Sequence, residues 1–131
     1  MIGLDTNVLV RYIADDDPVQ SPKARTVIQA LTQADPAWIC QASLLELVWL
    51  LDRKIKVDRA GISTVLRTLT DKKELDIENR SEVVEALELY QRCRANYSDC
   101  LIAVVAQTAG CSKVVTFDRI AARDAGMELI P

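Results

Sequence analysis

The chain has 131 residues, with 16 basic and 19 acidic side chains for a formal charge of −3, and half of its residues are apolar. That composition fits one globular domain over residues 1–131 and excludes disorder as the main state; the lack of a long apolar run or a signal-peptide pattern gives an expected cytoplasmic address with no membrane contact. Histidine is absent, which removes imidazole bases, Ser-His-Asp and Cys-His pairs and histidine metal ligands, so any catalysis rests on carboxylates, hydroxyls, lysine, cysteine or tyrosine.

Ile2 to Leu4 is a short apolar run that reads as a strand ending at Asp5, and Asn7 to Ile13 follows with helical spacing. After the acidic loop Asp15 to Pro18, Ser21 and Pro22 predict a helix start, with Ala24, Val27, Ile28, Leu31 and Ala34 on one face. Asp35 and Pro36 break that helix. Ala37 to Cys40 reads as a buried strand, and Ser43 opens a helix to about Arg53. Asp58 caps the next helix, whose Ile62, Val65, Leu66 and Leu69 share a face as far as Asp71. Leu75 to Ile77 is a third short strand. A helix over Glu82 to Arg94 aligns Val83, Ala86, Leu87, Tyr90 and Cys93, and another runs from Asp99 to Ala109, closed by Gly110. Lys113 to Phe117 is the clearest strand, Arg119 to Ala125 a short helix ended by Gly126, and Met127 to Ile130 a last strand.

Alternating strands and helices predict an α/β fold in three layers, a mainly parallel central sheet flanked by helices on both faces. Such sheets gather ligands at the carboxyl ends of their strands. Asp5 and Asp118 follow the first and fourth strands. Glu46 and Asp99 lie at the starts of helices that are apolar nearly all round, and such helices are expected to be buried on every side. Each acid also has a local reading: Ser43 and Glu46 fit a capping box, Asp99 favours a helix start, and Asp5 and Asp118 close strands. Together they are expected at one edge of the sheet. Two carboxylates about 4 Å apart repel by roughly 4 kcal/mol at an effective dielectric of about 20, so such a cluster takes up protons or cations. Oxygen ligands without histidine or thiolate select Mg²⁺ or Mn²⁺, and two such ions balance four carboxylates. The matching chemistry is metal-assisted phosphodiester hydrolysis.

The opening Ile2-Gly3-Leu4-Asp5-Thr6-Asn7-Val8-Leu9-Val10-Arg11-Tyr12, the Glu46 helix, Ser98-Asp99-Cys100-Leu101-Ile102-Ala103 and Thr116-Phe117-Asp118-Arg119 resemble the PIN-domain ribonucleases, and more narrowly the VapC-type toxins of bacterial toxin–antitoxin pairs. The resemblance covers the whole chain. It implies a metal-dependent endoribonuclease in which Asp5, Glu46, Asp99 and Asp118 hold one or two Mg²⁺ or Mn²⁺ ions, with Thr6, Asn7 and Thr116 as polar supports. It also implies an RNA substrate and a protein antitoxin. The small residue common before the third acid is Ser98 here, and Ala121 stands where an aromatic often follows the fourth acid.

RNA contacts are sought first at Arg119, which adjoins Asp118, and at Arg11; Arg53, Lys54, Lys56, Arg59 and Arg123 are further candidates. Trp38 and Trp49 are expected in the core or a subunit interface, and the chain is expected to form a homodimer. Cys40, Cys93, Cys100 and Cys111 lack C-x-x-C spacing and are expected as buried small hydrophobes. Two rival readings stay open. An aspartate-nucleophile, Mg²⁺-dependent phosphatase usually wants Asp-x-Asp where this chain has Asn7, and a non-catalytic binding or scaffold domain makes the four acids coincidental.

Overall fold

Short apolar runs separated by helices can pair only in parallel, because each crossover returns the chain to the same end of the sheet. The computed structural model describes residues 1–131 and contains seven helices and five short strands, all of whose pairings are parallel. The chain divides into two units, Met1–Glu78 and Asn79–Pro131.

The first unit runs β1 (Ile2–Gly3), α1 (Thr6–Ala14), α2 (Gln20–Gln29), β2 (Ala37–Ile39), α3 (Gln41–Arg53), α4 (Arg59–Asp71) and β3 (Leu75–Ile77). Its sheet has the order β1-β2-β3, with Ile2 opposite Ala37 and Ile39 opposite Ile77. The Leu4 amide extends the ladder by donating to the Trp38 carbonyl at 2.9 Å. Two right-handed crossovers stepping in one direction fall on the same face of a sheet, and α1 accordingly packs against both α2 and α3, with α4 beside α3. Leu9, Ile39, Leu44, Leu47, Leu51, Leu66 and Leu75 are fully buried there.

The second unit runs α5 (Arg80–Arg92), α6 (Tyr97–Thr108), β4 (Val115–Thr116), α7 (Arg119–Asp124) and β5 (Glu128–Leu129). Val83, Ala86, Leu87 and Tyr90 form the buried stripe of α5, and Tyr97, Cys100, Leu101 and Val104 that of α6, the helix it packs against. The Tyr90 and Tyr97 rings meet edge to face, centroids 5.8 Å apart. β4 pairs with β5, Val115 opposite Glu128.

Several local expectations are corrected. Ser21 is not the N-cap of α2: it lies inside the first turn, where its hydroxyl accepts from the Asp17 amide, and Asp17 Oδ1 instead accepts from Val19 and Gln20 N–H. α2 also stops at Gln29, which leaves Leu31 and Ala34 outside it in the turn closed by Thr32 and Asp35. α3 begins before Ser43; Cys40 is its N-cap, with Sγ accepting from Ser43 N–H, so Ser43 and Glu46 form no capping box. That bond and the Ser43 hydroxyl lower the Cys40 thiol, the hydroxyl acting most. Lys113 to Phe117 contributes only Val115 and Thr116 to a ladder. Of the cysteines only Cys100 is fully buried; Cys40 and Cys93 are half-buried and Cys111 is exposed. Neither apolar helix is buried all round, since Trp49 is 53% and Ile102 49% exposed. Trp38, the outward residue of β2, is not a core residue either.

Candidate active site

In the first unit, the parallel pairing of β1 and β2 makes α1 and α3 start from the same edge of the sheet. Asp5 stands between β1 and α1 as the N-cap residue, but its side chain bonds none of the helix amides. Glu46 lies on the second turn of α3. Both are exposed. Thr6, the first residue of α1, is buried, and Asn7 beside it is exposed. Arg11 is committed to the α1–α2 contact: its Nε donates to Gln20 Oε1 at 2.7 Å and its Nη1 lies 3.7 Å from Asp16.

In the second unit, Asp118 caps α7: its Oδ1 accepts from Ile120 and Ala121 N–H at 2.8 and 2.9 Å. Its own N–H donates to Thr116 Oγ1 at 3.0 Å, which gives Thr116 a supporting place beside the acid. Asp99 is the third residue of α6 and half-buried. Burial, and after it the negative charge of Asp118, push the Asp99 carboxyl above the usual carboxylate range. The fold therefore brings these two acids within electrostatic reach of each other. Arg119 is exposed at the first position of α7.

Within either unit, no group of three or more His, Cys, Asp or Glu side chains could hold a metal ion; each contributes two of the four acids. The donor set nonetheless fits a hard divalent cation. All four ligands are carboxylate oxygens, Asp5 and Glu46 have no hydrogen-bond or ionic partner, and the repulsion that raises Asp99 is what a cation relieves.

Sequence reasoning missed Tyr97, whose hydroxyl donates to the Val83 carbonyl and anchors α6 two residues before Asp99. It also missed Asp124, whose carboxyl is held low by the Arg123 guanidinium and the Arg94 N–H. A tyrosine two places before a helix-start acid is the only sequence signal for the first; the second has none.

Short parallel strands, each leading into a helix, with acids placed where strand gives way to helix or in a helix's opening turns, define an α/β domain of the carboxylate-bearing kind. The chain belongs to the PIN-domain family, which it matches over residues 2–126. It is similar to a VapC ribonuclease of Aquifex aeolicus (strain VF5), 25% identical over 116 residues that cover 88% of this chain and 86% of the relative. The α/β, PIN-like architecture expected from the sequence is the one found.

Proposed function

We propose that this chain is a divalent-metal-dependent endoribonuclease, a single PIN-like domain over residues 1–131 that serves as the toxin of a toxin–antitoxin pair. The observation that carries the reading is the Asp99–Asp118 relationship, a half-buried acid raised by a neighbouring acid in a family member whose Asp5 and Glu46 carboxylates have no partners. Asp5, Glu46, Asp99 and Asp118 would hold one or two Mg²⁺ or Mn²⁺ ions. Such a cation supplies positive charge to the phosphate oxygens on which negative charge develops during hydrolysis. Asp118 fixes its own carboxylate by capping α7, and Thr116 fixes the Asp118 backbone. Arg119, next to Asp118, is free to take a phosphate of the RNA; Arg11 reaches RNA only by releasing Gln20.

The chain has no histidine to remove a proton from a 2′-hydroxyl, so water is the attacking group and the products carry 5′-phosphate and 3′-hydroxyl ends. The similarity to a VapC ribonuclease supports a protein antitoxin, and exposed Trp49, three residues after Glu46, gives such a partner or a second copy in a homodimer an apolar anchor. No helix is long and apolar enough to cross a membrane, in keeping with a cytoplasmic protein. The test is incubation of the purified, partner-free chain with structured and unstructured RNAs, with and without Mg²⁺ or Mn²⁺, followed by mapping of the ends. Cyclic 2′,3′-phosphates, or cleavage undiminished in EDTA, overturn the mechanism.

A further inference from the structure

Many basic side chains of this protein are matched to acids: Arg11 to Asp16, Arg25 to Asp15, Arg53 to Asp52, Lys72 to Glu74 and Lys113 to Glu128. The ends of α5 and α7 differ. Gln91, Arg92, Cys93, Arg94, Arg123 and Asp124 line a concavity of about 740 Å³ open to solvent. Its lining carries three guanidinium groups and one carboxylate, a surplus of 3 − 1 = 2 positive charges in a chain whose net charge is −3.

Asp124 organises the cluster. Its Oδ1 accepts from Arg123 Nε at 2.7 Å and its Oδ2 accepts from the Arg94 backbone N–H at 2.9 Å, so both oxygens are spent on tying the end of α7 to the loop before α6. The Arg123 pairing uses Nε alone and leaves its terminal nitrogens to another acceptor. Arg92, exposed at the last position of α5, has no acidic partner. Arginines gathered in this way repel one another until an anion with several acceptor oxygens enters, and a planar guanidinium fork matches phosphate. The cluster is also joined to the acids of its unit by short paths: Arg94 precedes Asp99 by five residues, and Arg123 follows Asp118 by five.

We propose that Arg92, Arg94 and Arg123 form a phosphate subsite that grips the backbone of the RNA strand cleaved at the carboxylates, an inference that rests on the nuclease reading. The open form of the concavity suits a polymer that passes through it, where a small free anion would need an enclosure.

The test measures binding of a short fluorescent single-stranded oligoribonucleotide by anisotropy across a salt series, with Asp5→Asn in every chain to prevent cleavage. Arg92→Ala with Arg94→Ala should weaken binding about tenfold at physiological salt and flatten the dependence of log affinity on log salt by about 1.4, or roughly 0.7 for each phosphate that no longer meets a cationic side chain. Arg92→Lys with Arg94→Lys should keep the salt slope. Lys23→Ala with Lys73→Ala removes the same charge elsewhere and should change neither quantity. If the alanine pair lowers the melting temperature, the single Arg92→Glu change at an exposed position gives the same readout. Unchanged affinity and slope in the arginine variants overturn the subsite and leave the nuclease reading standing; a parent chain that binds no RNA overturns both. Saturable binding of inorganic phosphate that the arginine variants lose, with RNA affinity unaffected, assigns the cluster to a free anion and also overturns the proposal.

Discussion

The Tyr97 hydroxyl donates to the backbone carbonyl of Val83 at 3.0 Å, so the first turn of α6 is bolted to α5 two residues before Asp99. Tyr97 is 2% exposed, and burial pushes its phenol far above the ordinary tyrosine value. The hydroxyl stays protonated and the bond persists at every working pH. Tyr97→Phe keeps the edge-to-face ring contact with Tyr90 but leaves the Val83 carbonyl buried without this donor. It should cost about 1–2 kcal/mol in urea unfolding and slow RNA cleavage more than stability alone explains, because Asp99 loses its anchor. A variant as stable and as active as the parent would remove the positioning role.

Asp118 has two tasks that substitution can separate. Asn retains a carbonyl oxygen for the Ile120 and Ala121 amides, whereas Ala does not. Asp118→Asn should therefore melt close to the parent, and Asp118→Ala should lose about 1 kcal/mol of stability. Both should lose RNA cleavage, since neither carries the charge. Cleavage by the Asn variant at the parental rate would show that the acid is only a cap.

Thr116 touches the Asp118 backbone and no other acid. Thr116→Val preserves the shape of the strand residue while removing the acceptor, and should lower cleavage or apparent Mg²⁺ affinity by about 10–100-fold. A Mg²⁺ titration of initial rates checks this, and a shift confined to the metal midpoint would place the effect in ion binding.

The pH dependence of α2 follows from Asp17. Its carboxyl is held below the usual value of 3.8 by the Gln20 N–H first and the Val19 N–H second. The group is depressed in the folded state, so its contribution to stability is present above the ordinary value and is lost as pH falls through the lowered one. Asp17→Asn does not titrate, and its melting temperature should fall less between neutral and strongly acidic pH than that of the parent. Parallel melting curves for the two proteins across that range would refute the assignment.

Much of this protein is legible in its residues. Apolar spacing in Ile62, Leu66 and Leu69, or in Val83, Ala86, Leu87 and Tyr90, determines a helix and the face it buries, because a helical repeat admits one stripe. The positions of Asp5 and Asp118 directly after strands are likewise readable, since β-strand and turn chemistry are local. What the residues leave open is set by competition among equivalent local choices. Ser21 and Asp17 both can start α2, and Ser43 and Cys40 both can cap α3; the winner is the one whose backbone the rest of the fold holds extended. The tertiary structure alone decides that Asp99 feels Asp118, that Tyr97 reaches Val83 across fourteen residues, and that Asp124 collects Arg94 across thirty. Such contacts depend on how helices pack, and the strength of a charge on its neighbour depends on distance and burial, neither of which is a property of spacing along the chain.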